Sequence, residues 1–295
     1  MSFPHRRGTQ PVFPFMFRSL PSLGHTGSVT PAAVVRDVAV RRGPRSVLGG
    51  ATFTVPSGAV TAVIGPNGSG KSTLLYLLAG LLDAELVGQE AEGSVVEVLG
   101  AAPGSHRDRV ALVLQTTEVA EHLPLTVQEA VAMGRYARRG MFALPARRDR
   151  RVNRTAVTEA MQRMEVADLA NRQLDELSGG QRQRVFVAQG LAQQADMLLL
   201  DEPVTGLDMV SRQRILDVAA EEARRGVAVV MTTHDLNEAA TADHVLLLSE
   251  GTVVSGPPAE VLVPDVLRRA YAGRLLVVGT DHTVVVDDPH HGHSH

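Results

Sequence analysis

The segment Gly65-Pro66-Asn67-Gly68-Ser69-Gly70-Lys71-Ser72-Thr73 decides the fold of this chain. It fits the pattern G-x-x-x-x-G-K-[S/T] and lies between an apolar run over 59–64 and a leucine-rich helical pattern over 72–82. Glycines let the backbone curl so that successive N–H groups point at phosphate oxygens, and the helix N-terminus adds partial positive charge. We therefore predict a nucleotide-binding strand–loop–helix unit here, and not an ordinary glycine-rich turn.

Two side chains of this loop carry specific predictions. Lys71 is expected to reach the β- and γ-phosphates, and Ser72 to ligate Mg²⁺. Lys71 is also the single lysine among 29 basic residues, so the other 28 are arginines. Because the ammonium is compact and the guanidinium is a wide planar fork, this position requires lysine in a chain that otherwise uses arginine.

Composition excludes several classes of protein. The chain has 295 residues, 44% of them hydrophobic and 21% charged, with a formal net charge of −3 and no cysteine. This is ordinary globular composition for one large domain or two small ones. The near-neutral charge argues against a nucleic-acid partner. The missing cysteines exclude disulfides, thiolate metal sites and a cysteine nucleophile, and we find no apolar run long enough to cross a bilayer.

Working outward from the loop, apolar strands alternate with amphipathic helices. This alternation predicts an α/β fold with a mostly parallel sheet and helices on both faces. Strands are predicted over 33–40, 47–55, 59–64, 94–99, 109–114, 197–200, 227–232 and 244–248, and helices over 72–82, 127–136, 152–164, 181–194, 210–225 and 236–242. The polar, arginine-rich stretch over about 116–178 is predicted to be a helical insertion.

Two acids follow the most apolar strand pattern. In Leu198-Leu199-Leu200-Asp201-Glu202-Pro203 they stand where a parallel sheet presents its ligand-binding edge. Such a pair alone would suit a helix N-cap. Beside a phosphate loop we predict instead that Asp201 holds Mg²⁺ through water, and that Glu202 is the general base that polarises the attacking water.

A further segment, Leu177-Ser178-Gly179-Gly180-Gln181, resembles the signature of the ATP-binding-cassette (ABC) family. It is a second helix N-terminus suited to an anion, and one nucleotide does not need two such cradles from one chain. Other marks of the family occur in order: Gln115 resembles its Q-loop, 205–208 its D-loop and His234 its switch histidine. The resemblance covers roughly 33–270, and its signature segment argues against a small GTPase or a kinase.

The resemblance implies a P-loop NTPase ABC cassette with a RecA-like core, an antiparallel β subdomain and a helical subdomain. It implies ATP and Mg²⁺ as cofactors and two copies that sandwich two ATP molecules. Each ATP would lie between 65–73 of one copy and 178–181 of the other. The implied catalytic residues are Glu202, His234, Gln115 and Lys71; the Mg²⁺ ligands are Ser72, Gln115 and Asp201; and the nucleotide-binding residues are Gly65, Pro66, Asn67, Gly68, Ser69, Gly70, Lys71, Ser72, Thr73, Arg42, Ser178, Gly179, Gly180, Gln181 and Asp208.

Arg42 departs from the family pattern, which has an aromatic residue against adenine at this register. A guanidinium plane can also stack on a base. The alternative is that Arg42 is solvated and adenine is held loosely.

A single cassette without a membrane span or coiled coil resembles the ATPase subunit of a transporter. Its expected partners are a permease on a separate chain, a second copy of itself and a substrate-binding protein, and its expected place is the cytoplasmic face of the membrane. The alternatives are an iron-chelate importer and a soluble, non-transport ABC ATPase.

Two features suggest the cargo. The run Gly134-Arg135-Tyr136 resembles importers of manganese, zinc or iron, and also iron-chelate importers. The tail contains His290, His291, His293 and His295, and clustered imidazoles bind Zn²⁺. These features favour a divalent metal ion, zinc first, although the tail could equally be floppy with incidental metal affinity.

The expected domain organisation has three parts. Residues 1–32 are predicted to be a disordered extension, because prolines break the segment after Arg6-Arg7 and no signal-peptide core follows. Residues 33–274 form the ATPase domain, and 275–295 a small hairpin with the histidine-rich tail.

Overall fold

The computed structural model describes residues 30–42, 45–82, 87–88, 94–115, 125–139, 147–271, 275–277 and 284–286. The strands are β1 Ala33–Arg42, β2 Arg45–Val55, β3 Val60–Ile64, β4 Val87–Gly88, β5 Val95–Val98, β6 Val110–Val113, β7 Met197–Leu200, β8 Ala228–Thr232, β9 His244–Ser249, β10 Thr252–Gly256, β11 Leu275–Val277 and β12 Val284–Val286. The helices are α1 Lys71–Ala79, α2 Val127–Met133, α3 Tyr136–Arg139, α4 Arg147–Arg163, α5 Gly179–Ala192, α6 Met209–Arg224, α7 Leu236–Thr241, α8 Pro258–Val261 and α9 Pro264–Ala270.

A six-stranded sheet with the order β10-β9-β3-β8-β7-β6 forms the centre. Five strands are parallel, and β10 pairs antiparallel with β9 at the edge. Every residue of β7 and β8 is buried. A run of apolar residues that is covered on both faces is what a parallel strand between helical layers requires. The predicted α/β fold is therefore confirmed.

Alternate residues of the strands pack into two cores. Leu198 and Leu200 face one core with helices α2, α4, α5 and α6. Met197 and Leu199 face the other, which contains α1 and the antiparallel sheet of β1, β2, β4 and β5. Because strand side chains alternate, a fully apolar strand supplies both layers. The chain thus has an α/β core, an antiparallel β layer and a helical region, as the family resemblance implies.

Several element boundaries differ from the sequence expectations. The helix predicted over 72–82 ends at Ala79, because Gly80 adopts φ +66° and closes the helix in the left-handed conformation. The helix predicted over 127–136 is two helices, since α2 ends at Met133 and a turn at Gly134-Arg135 precedes α3. The structure also contains β10, α8 and α9, which the patterns over 252–270 do not predict.

Beyond this core, β11 and β12 pair antiparallel, with Leu275 opposite Val286. None of the helices among the described residues is both long enough and apolar enough to cross a lipid bilayer.

Candidate active site

Four neighbouring parallel strands end at one edge of the central sheet, and each leads into a predicted site segment. In sheet order, β3 leads into the loop at Gly65, β8 into His234, β7 into Asp201-Glu202 and β6 into Gln115. Carboxyl ends of parallel strands share one edge, where α/β proteins bind ligands. The topology therefore places segments separated by more than a hundred residues on one side of the molecule.

The loop before α1 depends on glycine. Gly65 and Gly70 adopt φ +146° and +101°. A Cβ on Gly65 would lie 2.2 Å from the carbonyl oxygen of Leu248, and one on Gly70 would lie 2.6 Å from a methyl of Val47. The loop thus needs glycine both for its backbone conformation and for its close contacts. This is the reason that the sequence pattern is so restrictive.

Lys71 is buried at the base of this loop. Its Nζ donates to the carbonyl oxygens of Gly65, at 2.9 Å, and Pro66, at 3.3 Å. Burial lowers the pKa of Lys71 from its ordinary value, while the negative charges of Glu202 and Asp201 act in the opposite direction. The amine is therefore held between the loop and the two acids.

The loop offers the polar groups that a phosphate requires. Gly70 is the N-cap of α1 and has no side chain to accept from the first N–H groups of that helix. The Oγ of Ser69 is buried and has no hydrogen-bond partner among the described residues. Phosphate oxygens would satisfy such donors. The residues present therefore fit the triphosphate of ATP.

The carboxylate of Asp201 and the backbone of Glu202 both contact the hydroxyl of Thr232. Thr232 Oγ1 donates to Oδ1 of Asp201 at 2.7 Å and accepts from the backbone N–H of Glu202 at 2.7 Å. Glu202 adopts φ +44°, and its Oε2 accepts from Thr205 Oγ1 at 3.2 Å. Carboxylate and hydroxyl oxygens are the ligands that Mg²⁺ prefers. Asp201 and Ser72 therefore offer the kinds of oxygen that the predicted magnesium site needs.

The signature segment begins α5 and forms a second group. Ser178 Oγ accepts from the N–H of Gln181 at 3.3 Å, and Gln181 Oε1 accepts from the N–H of Ser178 at 3.0 Å. This is a reciprocal capping box. A Cβ on Gly180 would lie 2.5 Å from Oδ2 of Asp208 and 2.7 Å from Oγ of Ser211. The signature segment thus packs against the start of α6.

Asp208 is the N-cap of α6. Its Oδ1 accepts from the N–H of Ser211 at 2.9 Å. Hydrogen bonds from Ser211 hold the pKa of Asp208 below its usual range. The contacts seen here are with α5 and α6, so its role toward nucleotide stays a prediction.

The remaining predicted residues are placed as follows. Gln115 and His234 are exposed at the shared edge of the sheet. Arg42 is the last residue of β1 and pairs with Arg45 of β2, but its side chain lies outside the described part of the structure. The metal-binding prediction for the tail also lies outside the described residues. It concerns His290, His291, His293 and His295.

Sequence reasoning missed a polar network beside His234. Arg212 of α6 pairs with Asp235 and, at 2.9 Å, with the buried Glu238 of α7. Glu238 also accepts from Thr233 Oγ1, directly before His234. The signal was available, because two threonines ending an apolar strand are unusual in a buried position.

Comparison with known proteins identifies the family. A sequence model described as ABC transporter matches residues 48–205, more than half of the chain. The chain belongs to the ABC transporter family. As an ABC ATPase it binds and hydrolyses ATP, and the predicted resemblance is confirmed.

Three relatives give the comparison its detail. The ABC ATPase is 37% identical over 247 residues to a probable metal transport system ATP-binding protein of Chlamydia muridarum, covering 83% of this chain and 91% of the relative. It is 36% identical to the zinc transport system ATP-binding protein TroB of Treponema pallidum, covering 83% and 88%. It is 43% identical to the molybdenum import ATP-binding protein ModC of Mycobacterium tuberculosis, covering 77% and 62%.

A solved structure supports the same assignment. It is that of a proposed metal-chelate type ABC transporter in an inward-facing conformation. It shares 27% identity with the ABC ATPase at a TM-score of 0.70, over 82% of this chain and 90% of that chain.

Proposed function

We propose that this ABC ATPase powers the import of a divalent metal ion, with zinc as the first candidate. The observation that carries the proposal is the similarity, over more than four-fifths of the chain, to the metal and zinc transport subunits. The molybdenum relative has higher identity, but it is matched over less than two-thirds of its length. Manganese and iron are the other candidates within the same class.

We infer the roles of the site residues from their placement. The loop at 65–73 holds the phosphates, and Lys71 neutralises charge on the β- and γ-phosphates. Asp201, Ser72 and Gln115 would hold Mg²⁺, which offsets the charge of the phosphates when bound. Glu202 orients the attacking water and accepts its proton, and His234 contacts the γ-phosphate.

A second copy completes the site in this proposal. Its residues 178–181 would face the γ-phosphate held by the first copy, so that hydrolysis separates the two copies. This opening would drive a permease on a separate chain at the cytoplasmic face of the membrane. A substrate-binding protein would deliver the metal. The support is the existence of two separate groups, one around Lys71 and one around Gly180.

A transport assay tests the cargo. The ABC ATPase is co-expressed with a candidate permease from the same genome, and uptake of radioactive Zn²⁺, Mn²⁺, an iron chelate and molybdate is compared. We expect ATP-dependent uptake of zinc that disappears with Lys71→Ala. If manganese is taken up in preference to zinc, manganese becomes the proposed cargo. Preferred uptake of molybdate, or uptake of none of the four, would overturn the proposal.

An iron-chelate importer is the second candidate. The solved metal-chelate type structure, with a TM-score of 0.70, favours it. In the same assay it predicts uptake of the intact chelate in preference to the free divalent ions.

A further inference from the structure

We propose that Thr232 is a positioning residue for ATP hydrolysis, whose hydroxyl fixes both acids of the active site through two hydrogen bonds. The proposal rests on the roles proposed above for Asp201 and Glu202. It concerns a residue of β8 that lies 30 positions away from Glu202 in the sequence and is fully buried.

The hydroxyl of Thr232 both donates and accepts a hydrogen bond. It donates to Oδ1 of Asp201 and accepts from the N–H of Glu202, each at 2.7 Å. A hydroxyl has one proton to donate and two lone pairs to accept. One oxygen atom therefore fixes the rotation of the Asp201 carboxylate and the peptide plane that carries Glu202.

The backbone at Glu202 explains why such a constraint is needed. Its φ of +44° lies in the left-handed region, which a residue with a long side chain rarely adopts. Such a conformation persists only where surrounding contacts hold it. The short hydrogen bond to Thr232 holds the N–H of this residue, and Thr205 Oγ1 contacts its carboxylate. Together they set the direction in which the carboxylate points.

A buried threonine on the neighbouring strand provides a matched control. Thr61 of β3 pairs with Val230, two residues before Thr232, so both threonines lie on the same face of the sheet. Thr61 is fully buried, and its Oγ1 has no hydrogen-bond partner among the described residues. It shares full burial with Thr232 but differs in what its hydroxyl contacts.

The experiment compares Thr232→Ser with Thr232→Ala in the full-length chain, because these two variants differ only in the hydroxyl. The steady-state rate of ATP hydrolysis is measured at increasing ATP concentrations and, separately, at increasing Mg²⁺ concentrations. We expect Thr232→Ser to retain most activity. We expect Thr232→Ala to lower kcat by about 10- to 100-fold, with a raised Mg²⁺ requirement and little change in KM for ATP. Thr61→Val should match the wild type.

The outcomes distinguish a positioning role of the Thr232 hydroxyl from a packing role of the Thr232 side chain. Wild-type kcat and Mg²⁺ dependence in Thr232→Ala would overturn the proposal, and so would equal losses in the serine and alanine variants. If alanine reduces the yield of folded protein, Thr232→Val fills the space without the hydroxyl and is compared with serine instead. A Glu202→Gln variant that keeps turning over ATP would overturn the acid roles themselves. If Glu202→Gln loses ATP hydrolysis while Thr232→Ala hydrolyses ATP like the wild type, only the positioning role of Thr232 is overturned.

Discussion

Position 71 requires the ammonium group of a lysine and not only a positive charge. Lys71 is the single lysine in the chain, and it lies buried under a loop whose carbonyl oxygens accept from its ammonium group. The carbonyl oxygens of Gly65 and Pro66 lie 2.9 and 3.3 Å from Nζ, and a guanidinium is a wider planar group than an ammonium. The site therefore selects a compact positive charge.

We expect both Lys71→Ala and Lys71→Arg to lower ATP hydrolysis by about 100-fold or more. Alanine removes the charge, and arginine keeps it on a planar group that does not fit the loop. Hydrolysis is measured together with the rise in melting temperature on adding ATP. Both variants should fold and lose that rise. Wild-type turnover in Lys71→Arg would show that any cation serves.

At the scale of helices, the turn between α2 and α3 joins the helical region to the core. The side chain of Arg135 is buried, and it donates to Oδ1 of Asn153 at 2.8 Å and to the carbonyl oxygen of Ala192 at 2.7 Å. A cation at the C-terminus of α5 also complements the helix dipole. Two residues of the Gly134-Arg135-Tyr136 run therefore have structural roles, and only Tyr136 is exposed.

Gly134 allows this close approach of α2 and α5. A Cβ there would lie 2.0 Å from the carbonyl oxygen of Gln189. We therefore expect Gly134→Ala to lower the free energy of unfolding by about 1–3 kcal/mol, because two packed helices must separate. Chemical denaturation measures the change. Gly49→Ala is the control, since its Cβ would have contacts no closer than 3.7 Å. Equal stability of Gly134→Ala and wild type would contradict the packing argument.

On the scale of the whole molecule, the candidate site consists of two groups on different layers. Lys71 and the two acids belong to the sheet edge, whereas Ser178 and Gly180 begin a helix that packs against Asp208. Each group has the N–H donors of a helix N-terminus. In the head-to-tail arrangement of two copies that we propose, each complete site would use both groups.

We expect Glu202→Gln to bind ATP, lose steady-state hydrolysis and accumulate as an ATP-dependent dimer. The amide keeps the shape of the side chain but cannot accept the proton from water. Light scattering after size exclusion, with and without ATP, measures the mass. Glu202→Gln combined with Lys71→Ala should remain monomeric. A monomer at all ATP concentrations, despite saturating ATP binding, would contradict the two-copy site.

The sequence alone determined the nucleotide-binding fold and the family. This was possible because the phosphate loop needs glycines at fixed spacing and because apolar strands covered on both faces have a distinctive pattern. The position of the two acids directly after an apolar strand also predicted that they lie at the carboxyl edge of the sheet. The glycine spacing and the apolar strand patterns are local properties, which can be recognised from residues that are close in the sequence.

Only the tertiary structure decided how the site is supported. Thr232 meets Asp201 and Glu202 across adjacent strands, and Arg135 meets Ala192 across helices, at separations of 30 to 57 residues. Gly180 packs on Asp208, 28 residues further along the chain. Periodicity shows which face of an element is apolar, but not which polar atoms meet there. That depends on strand order and register, and these are fixed by packing of the whole chain.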